Sequence, residues 1–488
     1  MRLNYLANSI GLTLKYIGVV IFAPVVVALY YGEYTSILPF TVAALISIFL
    51  GFSLSKFVPN ASKLENLNDI NKSEALFIVA FSWIAFSIIG CIPYLFFDLN
   101  PVNALFESVS GITTTGATVL THFDYPHAFF FWRSFTQWLG GLGIIVLFIA
   151  ILPQFAIAGR QMFFAETPGP TEDKITPRIK NTASALWKVY LGFTILEVIC
   201  LVIAGMPKFD AVCNSLSTLS AGGFSPHSES IIGYHSNAVV WIILIFMFLA
   251  GVSFNLQYKI LNSKNPFQIF KNEEFRVYFF MVFVMSGLIT LSLLIHNNFG
   301  FVNNLRDSLF QVVSITTSSG FASVDFEQWN YTPKLLLFMV MFMGACASSA
   351  GGGIKIARWL VIFKSMKSEV VKILHPNAII NIKIDEKTVP PETAKQITVF
   401  VFFYFLIFAI TAIILSLLEH NSAIGLSGAI SSLGNIGPGV ASMIGPLGNY
   451  EHLHTCSKII FIVNMLVGRL ELIPFIVMLN KDFWNFKD

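Results

Sequence analysis

Four short runs of small, polar and glycine residues carry the chemistry open to this sequence, and each interrupts a strongly apolar stretch. Aligned on one glycine apiece they read Ile112-Thr113-Thr114-Thr115-Gly116-Ala117, Thr218-Leu219-Ser220-Ala221-Gly222-Gly223, Thr316-Thr317-Ser318-Ser319-Gly320-Phe321 and Leu433-Gly434-Asn435-Ile436-Gly437-Pro438. The glycines stand 106, 98 and 117 residues apart, the near-even period of one structural unit used four times. Four such loops around an axis present backbone carbonyl oxygens inward, which can replace the hydration shell of a monovalent cation. Successive carbonyls point one way only where some residues adopt backbone angles closed to side chains with a Cβ, and glycine supplies them. The hydroxyls of Thr113 to Thr115, Ser220 and Thr316 to Ser319 add oxygen ligands or brace the loops. The expected cation-binding set is Thr114, Thr115, Gly116, Ala221, Gly222, Ser319, Gly320, Ile436 and Gly437. The fourth run lacks hydroxyls and is identified mainly by its place in the repeat. A single run of this kind reads equally well as a turn or a close helix contact; four, all on one side of the membrane, favour the cation site.

The elements that hold these loops are membrane helices. The 488 residues are 55% hydrophobic and only 12% charged, with a mean hydropathy of +0.72, whereas soluble domains run near a quarter charged. With about 20 apolar residues needed per crossing, spans are expected near 10–31, 36–57, 74–97, 127–157, 183–206, 236–261, 275–297, 333–364, 394–418 and 457–480. The last eight form four pairs, each bracketing one polar run. Ahead of each run lies a moderately apolar segment of about a dozen residues, too short to cross. Such a segment fits a helix that enters the membrane and returns as extended chain, which is tolerated where protein or a water-filled cavity surrounds it. The expected fold is an all-α polytopic membrane protein, with four helix, pore-loop, helix repeats in a pseudo-fourfold arrangement and two extra N-terminal transmembrane helices. Its units are 1–70 for the extra pair, then repeats at 71–180, 181–272, 273–390 and 391–488. Each short helix would aim the negative end of its dipole at the cavity below the loops, favouring a cation there.

Charge placement sets the orientation. Twenty-two basic residues lie in the connections opposite the loops, and only Lys208, Arg306, Lys334 and Lys458 lie in the connections that carry them. The positive-inside rule then opens the loops to the outside and puts both termini in the cytoplasm. The first apolar run ends in Tyr30-Tyr31-Gly32-Glu33 without a small-residue cleavage pattern, so it reads as a retained helix and not a signal peptide. The five cysteines are scattered without paired spacing and read as small buried hydrophobes. A net charge of +3 says little about partners, and no nucleic-acid partner is expected.

Two further features bear on control. The 333–364 span contains Gly344-Ala345-Cys346-Ala347-Ser348-Ser349-Ala350-Gly351-Gly352-Gly353, where repeated glycines, each costing about 1 kcal/mol in a helix, argue for a loop. It lies on the inner side of the third run, so Ala350, Gly351, Gly352 and Gly353 are expected to obstruct the path beneath it. Arg469 sits well inside the last span, where a fixed charge normally faces a cavity or a partner; it is expected to latch that loop. Glu471, two residues on, cannot face the same way on a helix. Arg133 lies near the outer end of its span and is expected to snorkel. His122, His127, His227, His235, Asp124 and Asp325 near the outer mouth do not have metal-site spacing and read as solvated loop residues. There is no phosphate-binding loop and no nucleophile with its base in a recognisable context, so no enzymatic role is expected.

The pore-loop sequences, the run Ala345-Cys346-Ala347-Ser348-Ser349-Ala350-Gly351-Gly352-Gly353-Ile354-Lys355 and Val467-Gly468-Arg469-Leu470-Glu471 resemble the TrkH/TrkG and KtrB superfamily of bacterial potassium-uptake proteins over nearly the whole chain. The two helices before the first repeat are similar to the TrkH/TrkG branch. The resemblance implies a pseudo-tetrameric potassium pore in the bacterial inner membrane, paired as a homodimer. It also implies control by a cytosolic TrkA-type nucleotide-binding subunit, with NAD or ATP bound on that partner and no cofactor on this chain. Ala221, where the family often has threonine, and the hydroxyl-free fourth loop depart from the family pattern. A sodium- or proton-coupled potassium symporter with the same filter is the alternative; four repeats of one sense favour the pore over two inverted halves.

Overall fold

The computed structural model describes residues 3–56, 72–143, 179–263, 266–296, 300–378, 380–385, 387–478 and 480–484. Among them six helices are long and apolar enough to cross a membrane: Leu6–Tyr31, Tyr34–Lys56, Ser73–Leu95, Ala183–Ile203, Glu273–Ile295 and Pro391–Glu419. These are the N-terminal pair and the leading helix of each repeat. Their outward faces are apolar and bare, as at Phe280, Phe402 and Leu417, which suits contact with lipid tails.

The N-terminal pair pack at close range because small residues face each other. A Cβ on Gly51 would lie 2.6 Å from the Gly11 carbonyl oxygen, and Ser47 donates its hydroxyl to the Leu14 carbonyl at 2.7 Å. Glu33, in the turn between them, docks the pair on the first repeat. Its carboxylate accepts the backbone N–H groups of His127 at 2.8 Å and Ala128 at 3.1 Å, the open N-terminus of helix His127–Gly141.

Each leading helix is followed by a short one: Pro101–Ile112, Lys208–Leu219, Phe301–Thr316 and Ser422–Leu433. Sequence sets where they start. Asn100 and Asn421 cap the first and fourth with their side-chain oxygens, and Pro101 supplies a preformed first turn. At 12 to 16 residues none can cross a bilayer core, and the last turns of all four are buried in protein.

The second helix of each pair departs from the expected continuous span. The break foreseen for 333–364 is present, with helices Tyr331–Val340 and Ile356–Leu374 on either side of the glycine-rich stretch. The 236–261 span is also broken: Asn237–Ala250 and Phe254–Leu261 meet at 100° around Gly251. The 457–480 span divides into Thr455–Arg469 and Ile473–Met478, with Glu471 and Leu472 both at φ 60° between them. The helix from His127 ends at Gly141. Residues 144–157 of the expected 127–157 span, with Lys63, Arg160, Lys174, Arg178, Lys264 and Lys487, lie outside the described residues.

A two-residue antiparallel pairing, Lys383–Ile384 with Lys387–Thr388, adds a small strand element to the basic connection. The cysteines are free; Cys213 and Cys346 are buried, but Cys456 is exposed, contrary to the expectation of burial. It sits in the first turn of helix Thr455–Arg469, beyond the packed interior.

Candidate functional site

The four short helices deliver four loops of the same backbone conformation. Residues Thr114, Ala221, Ser318 and Asn435 all lie in the left-handed region, at φ 54°, 56°, 58° and 53°. Two residues later so do Gly116, Gly223, Gly320 and Gly437, at 80°, 77°, 75° and 100°. Between them the N–H groups of Thr115, Gly222, Ser319 and Ile436 donate to the carbonyls of Ser110, Ser217, Ser314 and Ser431, at 2.8 to 2.9 Å. The second loop is therefore shifted by one residue from the alignment on Gly222. Gly223 holds the position that requires positive φ, and Gly222 matches Thr115, Ser319 and Ile436. The sequence alignment failed there because two glycines are adjacent and only one has the constrained angle.

The loops touch in a cycle. A methyl on Gly116 would overlap the Gly222 carbonyl oxygen, one on Gly223 that of Ser319, one on Gly320 that of Ile436, and one on Gly437 that of Thr115. Each loop thus lays its constrained glycine against the carbonyl of the next, and the fourth returns to the first. Positive φ and this approach both exclude a Cβ.

Side chains brace the ring from behind. Thr115 Oγ1 lies 2.8 Å from Thr113 Oγ1 and accepts from Asn435 Nδ2 at 3.0 Å, and Ser319 Oγ lies 2.9 Å from Thr317 Oγ1. Asn435 also donates to the Met465 carbonyl at 2.9 Å. Its amide supplies the fourth loop with the bracing that hydroxyls give the first and third. In the second loop Gln137 fills the space a side chain on Gly222 would take, donating to the Gly222 carbonyl at 2.6 Å and accepting from Phe224 N–H at 3.0 Å.

Arg133 does not snorkel. It is buried, and its guanidinium pairs with buried Glu107 at 2.7 Å, donates to Thr118 Oγ1 and the Ser225 carbonyl, and stacks 3.9 Å from the Phe224 ring. Glu107 accepts from Val119 N–H as well. This pair ties the first short helix to the outer exits of the first two loops. A carboxylate in an apolar segment and an arginine in an apolar span were both visible in sequence; their pairing was not. Glu197, buried in the second repeat's leading helix with both oxygens unpartnered among the described residues, was likewise passed over.

The glycine-rich stretch lies directly against the inner ends of the third and fourth loops. A Cβ on Gly351 would lie 2.6 Å from the Thr317 carbonyl oxygen, and one on Gly352 would overlap the Gly434 carbonyl. Gly352 N–H donates to Ser318 Oγ at 2.6 Å. Gly353 takes φ 68°. Lys355 reaches back to the Gly351 carbonyl, and Glu274 accepts the N–H groups of Ala347 at 2.6 Å and Ala357 at 3.2 Å, fixing both ends of the stretch. Arg469 donates to the Ala350 carbonyl at 3.0 Å and to the carbonyls of Gly140 and Gly141 at 2.5 and 3.0 Å. It therefore joins the end of helix His127–Gly141 to the breaks in the third and fourth repeats. Glu471 pairs with Arg358.

Residues 44–484 match the TrkH family of cation transport proteins. The chain is 34% identical to the Trk system potassium uptake protein TrkH of Escherichia coli K12 over 493 residues, covering 99% of this chain and all of that one. It is 32% identical to TrkG of the same organism over 471 residues, 95% of this chain and 94% of the relative. The crystal structure of the potassium transporter TrkH from Vibrio parahaemolyticus superposes with a TM-score of 0.87 at 31% identity, covering 99% of this chain and 100% of that one.

Proposed function

Because the chain belongs to the TrkH family of cation transport proteins, we propose that it takes up potassium across the bacterial inner membrane through a gated, channel-like pore. The filter is the ring formed by Thr114, Thr115 and Gly116, by Ala221, Gly222 and Gly223, by Ser319 and Gly320, and by Ile436 and Gly437. The observation that carries this reading is the cycle in which each constrained glycine abuts a carbonyl of the next loop. Such a ring offers oxygen ligands at fixed spacing without a charged side chain. Potassium is the substrate, as it is for the relatives named as potassium uptake proteins; those are transporters and not enzymes.

The stretch Ala350 to Gly353 is the gate and Arg469 its latch. Carbonyls in a non-helical stretch at membrane depth need donors, and the guanidinium supplies them while opposing cation passage. The chain works as a homodimer, and the basic residues between Lys355 and Lys395 form the docking face for a cytosolic TrkA-type subunit that carries the nucleotide.

Purified protein in liposomes tests this reading. Potassium flux should run down its own gradient with no sodium or proton gradient imposed; strict dependence on either would establish the symporter instead. Gly116→Val, Gly223→Val, Gly320→Val and Gly437→Val should each lose most flux while retaining expression. Arg469→Ala and deletion of Gly351 to Gly353 should each raise basal flux, and unchanged or lower flux in both would leave arginine and loop as packing.

A further inference from the structure

The four loops are alike in backbone but not in what holds their outermost carbonyls. In the first, Ser110 Oγ donates to the carbonyl of Ala117 at 2.5 Å, and in the third, Ser314 Oγ donates to that of Phe321 at 2.7 Å. In both cases the acceptor is the residue after the constrained glycine, seven positions on. Ser431 occupies the same place on the fourth short helix, six residues before its glycine as Ser110 and Ser314 are before theirs. Its hydroxyl donates instead to the carbonyl of Gly437 itself, at 2.8 Å. Tyr450 donates its hydroxyl to the same oxygen at 2.7 Å.

A carbonyl oxygen has two lone pairs, and here two hydroxyl donors take them. Ser431 lies on the short helix behind its loop, so the Gly437 peptide is turned toward the support and away from the ring. Its φ of 100° against 75° to 80° in the other three glycines agrees with a rotated peptide. Tyr450 is fixed for this task. It is buried, its ring packs between Phe106 at 5.4 Å and Phe461 at 5.2 Å, and its N–H donates to the Thr118 carbonyl at 2.9 Å.

Resting on the filter reading above, we infer that Tyr450, with Ser431, is a specificity-setting residue: it withholds the Gly437 carbonyl from the cation and leaves that level of the ring to Gly116, Gly223 and Gly320. A ring short of one oxygen must complete the ion's shell with water. Discrimination between potassium and sodium depends on the number and field of the coordinating carbonyls, so a partly hydrated level discriminates less. Tyr450 acts through the Gly437 peptide and is a positioning residue.

The test is the potassium-to-sodium permeability ratio, from reversal potentials of purified protein in planar bilayers, for wild type, Tyr450→Phe, Ser431→Ala and the double variant. Tyr450→Phe keeps the packed ring and removes only the donor; Ser431→Ala removes the other and disturbs packing least. Each single variant should raise the ratio by roughly threefold to tenfold, the net worth of one hydrogen bond, and the double variant more. An unchanged or lower ratio in all three, or equal loss of both currents, overturns the inference and leaves Tyr450 as packing. Absence of passive potassium current in the wild type would instead sink the pore reading, so the two failures are distinguishable.

Discussion

At the scale of residues, the second loop shows how much depends on one position. Gly222 and Gly223 are adjacent, yet different neighbours exclude a Cβ from each. Gly222 faces the removable side chain of Gln137, whereas Gly223 faces the Ser319 carbonyl and also holds φ 77°. Alanine at either should depress potassium flux in liposomes. Shortening the obstacle should help only one of them. Gly222→Ala with Gln137→Ser is expected to recover part of the lost flux, while Gly223→Ala with Gln137→Ser stays inactive, since no side-chain change relieves a clash with backbone at positive φ, worth about 1–3 kcal/mol. Equal recovery in both pairs would restore the alignment on Gly222. The glycines at 116, 320 and 437 were legible because each is alone at its step; the second was ambiguous because residue type does not report a dihedral angle. The bracing by Asn435 was illegible for a similar reason, an amide doing for the fourth loop what hydroxyls do for the first and third.

At the scale of elements, the leading helices could be read from apolar length alone, and the short helices from being too short to cross. The breaks in the second helices were only partly legible. Glycines announce the one in the third repeat and, in hindsight, that at Gly251; Glu471 and Leu472 adopt φ 60° with no glycine to mark it. Docking of the N-terminal pair is an element-scale contact with a titratable centre. Burial alone pushes the Glu33 carboxyl up, but hydrogen bonds from the N–H and ring of His127 and from Ala128 N–H, with the charge of that ring, hold it below its ordinary value of 4.5. A group with a depressed folded pKa stabilises above its unfolded pKa and loses that share as pH falls through the folded one. The unfolding midpoint of wild type should therefore exceed that of Glu33→Gln by a constant margin near neutral pH, a carboxylate at a helix N-terminus being worth about 0.3–2 kcal/mol. The margin should close as pH falls below about 4.5. A margin that persists into acid would show that the hydrogen bonds, and not the charge, dock the pair.

At the scale of the whole molecule, the ring closes between the last repeat and the first. Asn435 reaches Thr115, Tyr450 N–H reaches the Thr118 carbonyl, and Lys458, buried, reaches Asn103 Oδ1 at 2.9 Å and Glu451 at 3.2 Å. The period of the four runs in sequence implied that such a seam exists. Which residues form it did not follow, because the partners lie some 320 to 355 positions apart and carry no mutual signal. Closure also fixes which end of the molecule each connection occupies. His454 N–H bonds Glu419 at 3.0 Å, so the exposed Cys456 lies at the end where helix Pro391–Glu419 finishes. His375 precedes the start of that helix and lies at its opposite end, among the basic residues. In the orientation expected from the positive-inside rule, with basic connections in the cytoplasm, an impermeant maleimide added to intact cells should label native Cys456, because Cys213 and Cys346 are buried and Cys91 and Cys200 are partly covered within the spans. In a Cys456→Ser background, His375→Cys should stay unlabelled until the membrane is permeabilised. The reverse pattern would invert the molecule in the membrane, turning the ring toward the cytoplasm and the basic connections outward, which would contradict the proposed docking of a cytosolic subunit on them.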